Sequence, residues 1–136
     1  MSKDDHYAYR SPVTGEVFRP HEDLRFQGLP TFLRTPLAQT LEDLDIALVG
    51  VPFDGGLTAR PGARHGPREI RNQSSMMRSV HHVSRIDPYS ICRIADVGDV
   101  RVESLFSLDD AIVEIETFYR ALHAGGVVPL SIGGDH

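Results

Sequence analysis

Three short, largely apolar runs constrain this chain most: Asp45-Ile46-Ala47-Leu48-Val49-Gly50-Val51, Cys92-Arg93-Ile94-Ala95-Asp96-Val97 and Val127-Val128-Pro129-Leu130-Ser131-Ile132. The first and last are continuous rather than alternating and rich in β-branched residues, the pattern of buried strands in a parallel sheet. Between the first two, Pro67 is suited to open a helix reaching about Ser79, with Ile70, Ser74 and Met77 on one face. Between the second and third, a helix is predicted from Leu108 to Ala124. Ser107 can cap it, and Asp109 and Asp110 stand in the first turn, where acids suit the helix dipole. Leu108, Ala111, Ile112, Ile115, Phe118 and Leu122 recur at helical spacing and define a core face, and Gly125-Gly126 ends the helix. Strand, helix, strand, helix, strand predicts a right-handed, doubly wound parallel α/β unit.

That unit is expected to span residues 44–136. Residues 1–43 lack sustained periodicity and carry Pro12, Pro20, Pro30 and Pro36, which predicts an irregular arm laid over the surface or over a neighbouring subunit. Residues 80–92 read as irregular around Asp87-Pro88.

Composition removes several function classes. A net charge of −5 does not favour a nucleic-acid partner. No apolar run approaches the roughly 18 residues of a transmembrane helix. The start, Met1-Ser2-Lys3-Asp4-Asp5-His6, has no apolar segment behind it and does not read as a secretory signal. Cys92 is the single cysteine, so an internal disulfide and a cysteine-based zinc finger are excluded. The expectation is a cytoplasmic protein without membrane partners.

The chemistry concentrates at two places. The first is the glycine-rich, basic loop from Pro52 to Gly66, which contains Asp54, Arg60, Arg64 and His65. A long loop after a strand commonly carries function. It does not fit G-x-G-x-x-G, and no Gly-Lys-Ser/Thr follows, so a nucleotide site is disfavoured. A G-x-S-x-G nucleophile turn is also absent. The second place is Gly133-Gly134-Asp135-His136, directly after the third strand. Ligands of open α/β sheets bind beyond the carboxyl ends of the strands, which puts His136 at a suitable address. The other histidines fit less well. His81 and His82 are adjacent and diverge in either regular structure, His123 falls on the polar side of its helix, and His65 can serve simply to order its loop.

The runs Val51-Pro52-Phe53-Asp54-Gly55-Gly56, Arg60-Pro61-Gly62-Ala63-Arg64-His65-Gly66-Pro67-Arg68-Glu69-Ile70-Arg71 and Gly133-Gly134-Asp135-His136 resemble the ureohydrolase (arginase/agmatinase) family. The stretch Asn72 to Arg85 is most similar to the branch acting on guanidino acids and guanidine. The resemblance implies a three-layer α/β/α sandwich on a parallel sheet, with about three strands of it in this chain. It also implies a binuclear Mn²⁺ centre, with Ni²⁺ in some guanidine-hydrolysing relatives, at the strand ends. A metal-bridging hydroxide would attack the guanidinium carbon and release urea and an amine, since two cations lower the pKa of water and hold it in line. Carried over residue by residue, His136 is a metal ligand and Asp135 supports it from behind. Asp54, Arg60, Arg64 and His65 would line the substrate mouth, or the arginines would only tie the loop to the helix at Pro67.

The family's other ligand motifs, Asp-Ala-His-x-Asp and Ser-x-Asp-x-Asp-x-x-Asp-Pro, do not occur in these residues. No residue here is therefore assigned a catalytic role, and the chain alone is expected to be inactive. Three strands of a larger sheet also leave an apolar edge open. Two readings follow. One is part of a metal-dependent hydrolase of a small guanidino compound, trimeric or hexameric when intact. The alternative is a catalytically silent, truncated homologue acting by association with a full-length subunit.

Overall fold

The computed structural model describes residues 9–136, so the reading of the first six residues lies outside the described part. Three strands, β1 (Ile46–Val51), β2 (Ile94–Asp99) and β3 (Val128–Gly133), form one parallel sheet in the order β2-β1-β3. The helices are α1 (Gly66–Ser74) and α2 (Leu108–Ala124), with 3₁₀ turns at Phe32–Arg34, Ala63–His65 and Pro88–Ser90. This is an α/β unit wound in both directions from a central first strand, as the periodicity predicts.

Strand β1 is buried throughout its middle because it has a neighbour on each side and a layer on each face. Ala47 and Val49 join Leu44, Ala95, Val100, Leu122 and Val127 in one cluster, and Ile115, Phe118 and Tyr119 of α2 pack against it. Leu48, equally buried, lies outside that cluster, as strand alternation requires. On its own face Gly50 admits α1: a Cβ there would stand 3.1 Å from Cβ of Pro67.

Helix α2 has the predicted bounds, and Ser107 accepts a hydrogen bond from the Asp110 N–H at 3.4 Å. Ala111 and Leu122 are buried, whereas Leu108 and Ile112 at the N-terminal end of the stripe remain half exposed. Helix α1 is shorter than predicted. It stops at Ser74, whose side chain makes a tertiary contact, accepting the Leu33 N–H at 2.9 Å. Ser75 Oγ then turns back on the Asn72 carbonyl at 2.7 Å, a local bond that competes with helix continuation. Ile70 and Met77, expected on a common face, are both about half exposed, so no apolar stripe drives the helix further.

Strand β2 starts two residues later than predicted. The Arg93 N–H is held by Asp45 Oδ2 at 2.7 Å, and its carbonyl accepts from Asp45 and Ile46. Strand β3 corrects the expectation of a buried strand: Val128 is 62% and Leu130 53% exposed, because among the described residues β3 pairs only with β1. Before the sheet, Phe32 and Thr35 are fully buried, and the backbone of Pro36 and Ala38 bonds to Asp96 at the edge of β2. No helix among the described residues is long and apolar enough to cross a membrane.

Candidate functional site

In the parallel register Val51 lies opposite Gly133 and Gly50 opposite Ile132. The β1–α1 loop and the turn Gly134-Asp135-His136 therefore rise from the same, carboxyl end of the sheet. They are in direct contact. The Asp135 N–H donates to the Phe53 carbonyl at 2.7 Å, and a Cβ on Gly56 would stand 2.5 Å from Asp135 Oδ2. Gly134 is packed still more closely: a Cβ there would collide with the Phe53 carbonyl oxygen and stand 2.6 Å from that of Val51.

Asp135 is buried, with 6% of its side chain exposed, and faces an exposed His136. Its Oδ1 accepts the His136 N–H at 2.6 Å and lies 3.1 Å from Nδ1. A carboxylate on Nδ1 favours the tautomer that leaves Nε2 unprotonated and outward, the arrangement of a metal-ligating histidine.

The four residues expected to line the mouth divide into two pairs. Asp54 is buried and bonded inside the loop: its carboxylate accepts from Arg64 Nε at 2.6 Å, from the Gly62 N–H at 2.7 Å and from the Arg64 N–H at 3.3 Å. The side-chain bond from Arg64, followed by the Gly62 N–H, holds the Asp54 carboxyl well below the usual carboxylate range. Gly62 closes this sub-loop at φ 129°, a conformation that favours glycine. Arg60 and His65 are exposed, and no ion pair of theirs occurs among the described residues.

Beside this turn opens a groove of about 590 Å³ between α2 and β3. Phe53, Ile112, Tyr119, Ser131, Asp135 and His136 are among the residues that line it. Tyr119 Oη and Ser131 Oγ are hydrogen-bonded across its floor. Sequence reasoning missed Ile112, Tyr119 and Ser131 as lining residues, since their helix and strand positions read simply as parts of a core, whereas Phe53 lies in the loop it singled out. It also missed the cluster of Arg71 with buried Asp96 and half-exposed Asp99, residues that stood in the sequence as ordinary strand and helix positions. His81 is a turn-forming residue, its Nδ1 2.9 Å from Ser84 Oγ, and His123 is exposed on α2.

The fit to a binuclear metal centre is partial. His136, with Asp135 behind it, has the donor chemistry of one ligand. Among the described residues no three His, Cys, Asp or Glu side chains converge to hold an ion. The residues present do not form a two-metal centre.

A parallel sheet wound in both directions, with an acid–imidazole pair and a glycine-rich loop at its carboxyl end, defines the class as an open α/β unit, in which ligands are commonly bound at that end. Residues 44–136 match the model of the arginase family, and the chain belongs to that family. It is 56% identical to guanidinopropionase of Pseudomonas aeruginosa over 112 residues, covering 82% of this chain and 35% of that protein. Among solved structures, proclavaminate amidino hydrolase from Streptomyces clavuligerus superposes with a TM-score of 0.78 at 31% identity, over 84% of this chain and 38% of that one. Trypanosoma cruzi formiminoglutamase, solved with Mn²⁺, has a TM-score of 0.58 at 32% identity, over 71% of this chain and 33% of that one. The chain thus spans about a third of the length of the relatives it matches.

Proposed function

We propose that these residues are the part of a metal-dependent guanidino hydrolase that supplies one histidine ligand, and that a chain carrying them together with the family's later ligand motifs releases urea from a small guanidino compound. The observation that carries this reading is the Asp135–His136 pair, held at the sheet's carboxyl end with Nε2 free. Bound divalent ions would supply a nucleophile from water at neutral pH. Asp135 orients the His136 imidazole, and the loop from Pro52 to Gly66 packs against Asp135 through Phe53 and Gly56. The similarity to guanidinopropionase supports a guanidino acid as the first substrate to try, before agmatine and guanidine. Mn²⁺ is the first metal to load, because one solved relative was determined with it, and Ni²⁺ the second. The proposed division is an arm over 1–43 and the α/β unit over 44–136. The assembly expected of the intact protein is a cytoplasmic homo-oligomer, trimeric or hexameric, with no nucleic-acid partner.

The test is urea release by a chain extended past His136 with those motifs, loaded with Mn²⁺ or Ni²⁺ and offered 3-guanidinopropionate, 4-guanidinobutyrate, agmatine and guanidine. Release from one of them supports the reading, with the 136-residue chain silent on all four. No release from any, with either metal bound, sinks it. The exposed apolar edge of β3 favours a second reading, in which the 136-residue chain acts by docking onto a full-length relative. Failure to co-purify with such a relative removes that second reading.

A further inference from the structure

We infer that Asp54 and Gly56 are positioning residues for the Asp135–His136 pair: the Asp54–Arg64 lock shapes the loop that forms the slot in which the Asp135 carboxylate sits. The inference rests on the reading of His136 as a donor and deepens it.

The loop from Pro52 to Gly66 has no regular structure before the 3₁₀ turn at Ala63–His65, so its shape depends on what ties it. Asp54 is the tie. Its two oxygens gather the Gly62 N–H, the Arg64 N–H and the Arg64 guanidinium and draw the far limb of the loop against the near limb. The near limb holds Asp135 on two sides. The Phe53 carbonyl takes the Asp135 N–H at 2.7 Å, and the bare Cα of Gly56 leaves Oδ2 its space. With Oδ2 so confined, Oδ1 is presented to both the N–H and Nδ1 of His136. The sequence of contacts runs Arg64, Asp54, Phe53 and Gly56, Asp135, His136. Neither Asp54 nor Arg64 needs to reach a substrate for the ring to depend on them.

The readout is the tautomer of the His136 ring in the metal-free chain, from long-range ¹H–¹⁵N correlations recorded above the imidazole's titration range. The native chain is expected to hold the Nδ1–H form. Gly56→Ala places a methyl against Oδ2 without demanding a positive φ, and Asp54→Asn removes the charge of the lock. Each should lower the ratio of Nδ1–H to Nε2–H several-fold, toward a free imidazole mixture, while the amide spectrum of β1 and α2 keeps its native dispersion. Arg120→Ala, which breaks an exposed ion pair with Glu116 on α2, should leave the ratio unchanged. If Asp54→Asn fails to fold, Gly56→Ala decides alone. A native-like ring ratio in a folded Gly56→Ala chain overturns the inference, as does an equal change in Arg120→Ala. The reading involves no urea release, so a silent hydrolysis assay and an unmoved tautomer ratio are separate failures.

Discussion

Arg71 grips Asp96 with two parallel hydrogen bonds, Nε to Oδ2 at 2.7 Å and Nη2 to Oδ1 at 2.9 Å, while its Nη1 reaches Asp99 Oδ1 at 2.6 Å. The guanidinium also lies over the Phe32 ring, 3.8 Å from its centroid. Asp96 is fully buried and additionally accepts the N–H groups of Phe32 and Gly98. One carboxylate thus joins α1, β2 and the segment before the sheet.

Removing the cation from this cluster strands a buried charge. Arg71→Leu is expected to destabilise the chain by about 3 kcal/mol or more, the scale for breaking a buried pair. Arg71→Lys should recover only part of that, since an ammonium cannot fork onto a carboxylate or stack on Phe32 as a guanidinium does. Urea unfolding midpoints of the three proteins check the order native, Lys, Leu.

The Asp54 lock should be pH-dependent in one direction. Its carboxyl is held below its unfolded value of about 3.9, so the stabilisation is complete above that pH and is lost as pH falls below it. Hydrogen exchange at the Gly62 and Arg64 amides should accelerate relative to β1 amides below about pH 4. In Asp54→Asn the extra acid sensitivity should vanish. An unchanged acid response in that variant would falsify the assignment of the lock to Asp54.

Gly134 is a position where no side chain fits. A Cβ would collide with the carbonyl oxygen of Phe53 and stand 2.6 Å from that of Val51, both backbone atoms that cannot swing aside. Gly134→Ala should therefore cost about 1–3 kcal/mol, the range for overpacking, and displace the Asp135–His136 turn. Thermal unfolding, compared with an alanine at exposed Arg68, measures the cost.

The open side of β3 should make the 136-residue chain self-associate. Val128 and Leu130 are exposed on a strand whose outer edge has no partner among the described residues. Lysine on an edge strand blocks edge-to-edge pairing. Val128→Lys with Leu130→Lys is expected to shift the chain toward monomer in sedimentation velocity at equal concentration.

The order of strands and helices was legible because each element carries its own period. The continuous apolar run at Ile46–Val51 and the helical stripe of α2 with Ser107 in front are local patterns, and both elements form where those patterns lie. The terminal motif was legible for the same reason: two glycines after a strand put Asp135 and His136 at the carboxyl end of the sheet. The contact that Ser74 makes at the end of α1 was not legible, because its partner Leu33 is 41 positions away.

What the sequence by itself determined was therefore the α/β class, the family, and the address of the acid–imidazole pair. Only the tertiary structure decided which charges pair. Asp96 and Arg71 are 25 residues apart, and nothing local distinguishes that match from the other acid–arginine combinations in the chain. It also decided that Asp54 and Arg64 are spent on each other while Arg60 and His65 stay exposed, and that among the described residues β3 pairs only with β1. Periodicity reports what each segment must bury, but partners are chosen by distance in space, which a short window of sequence does not contain.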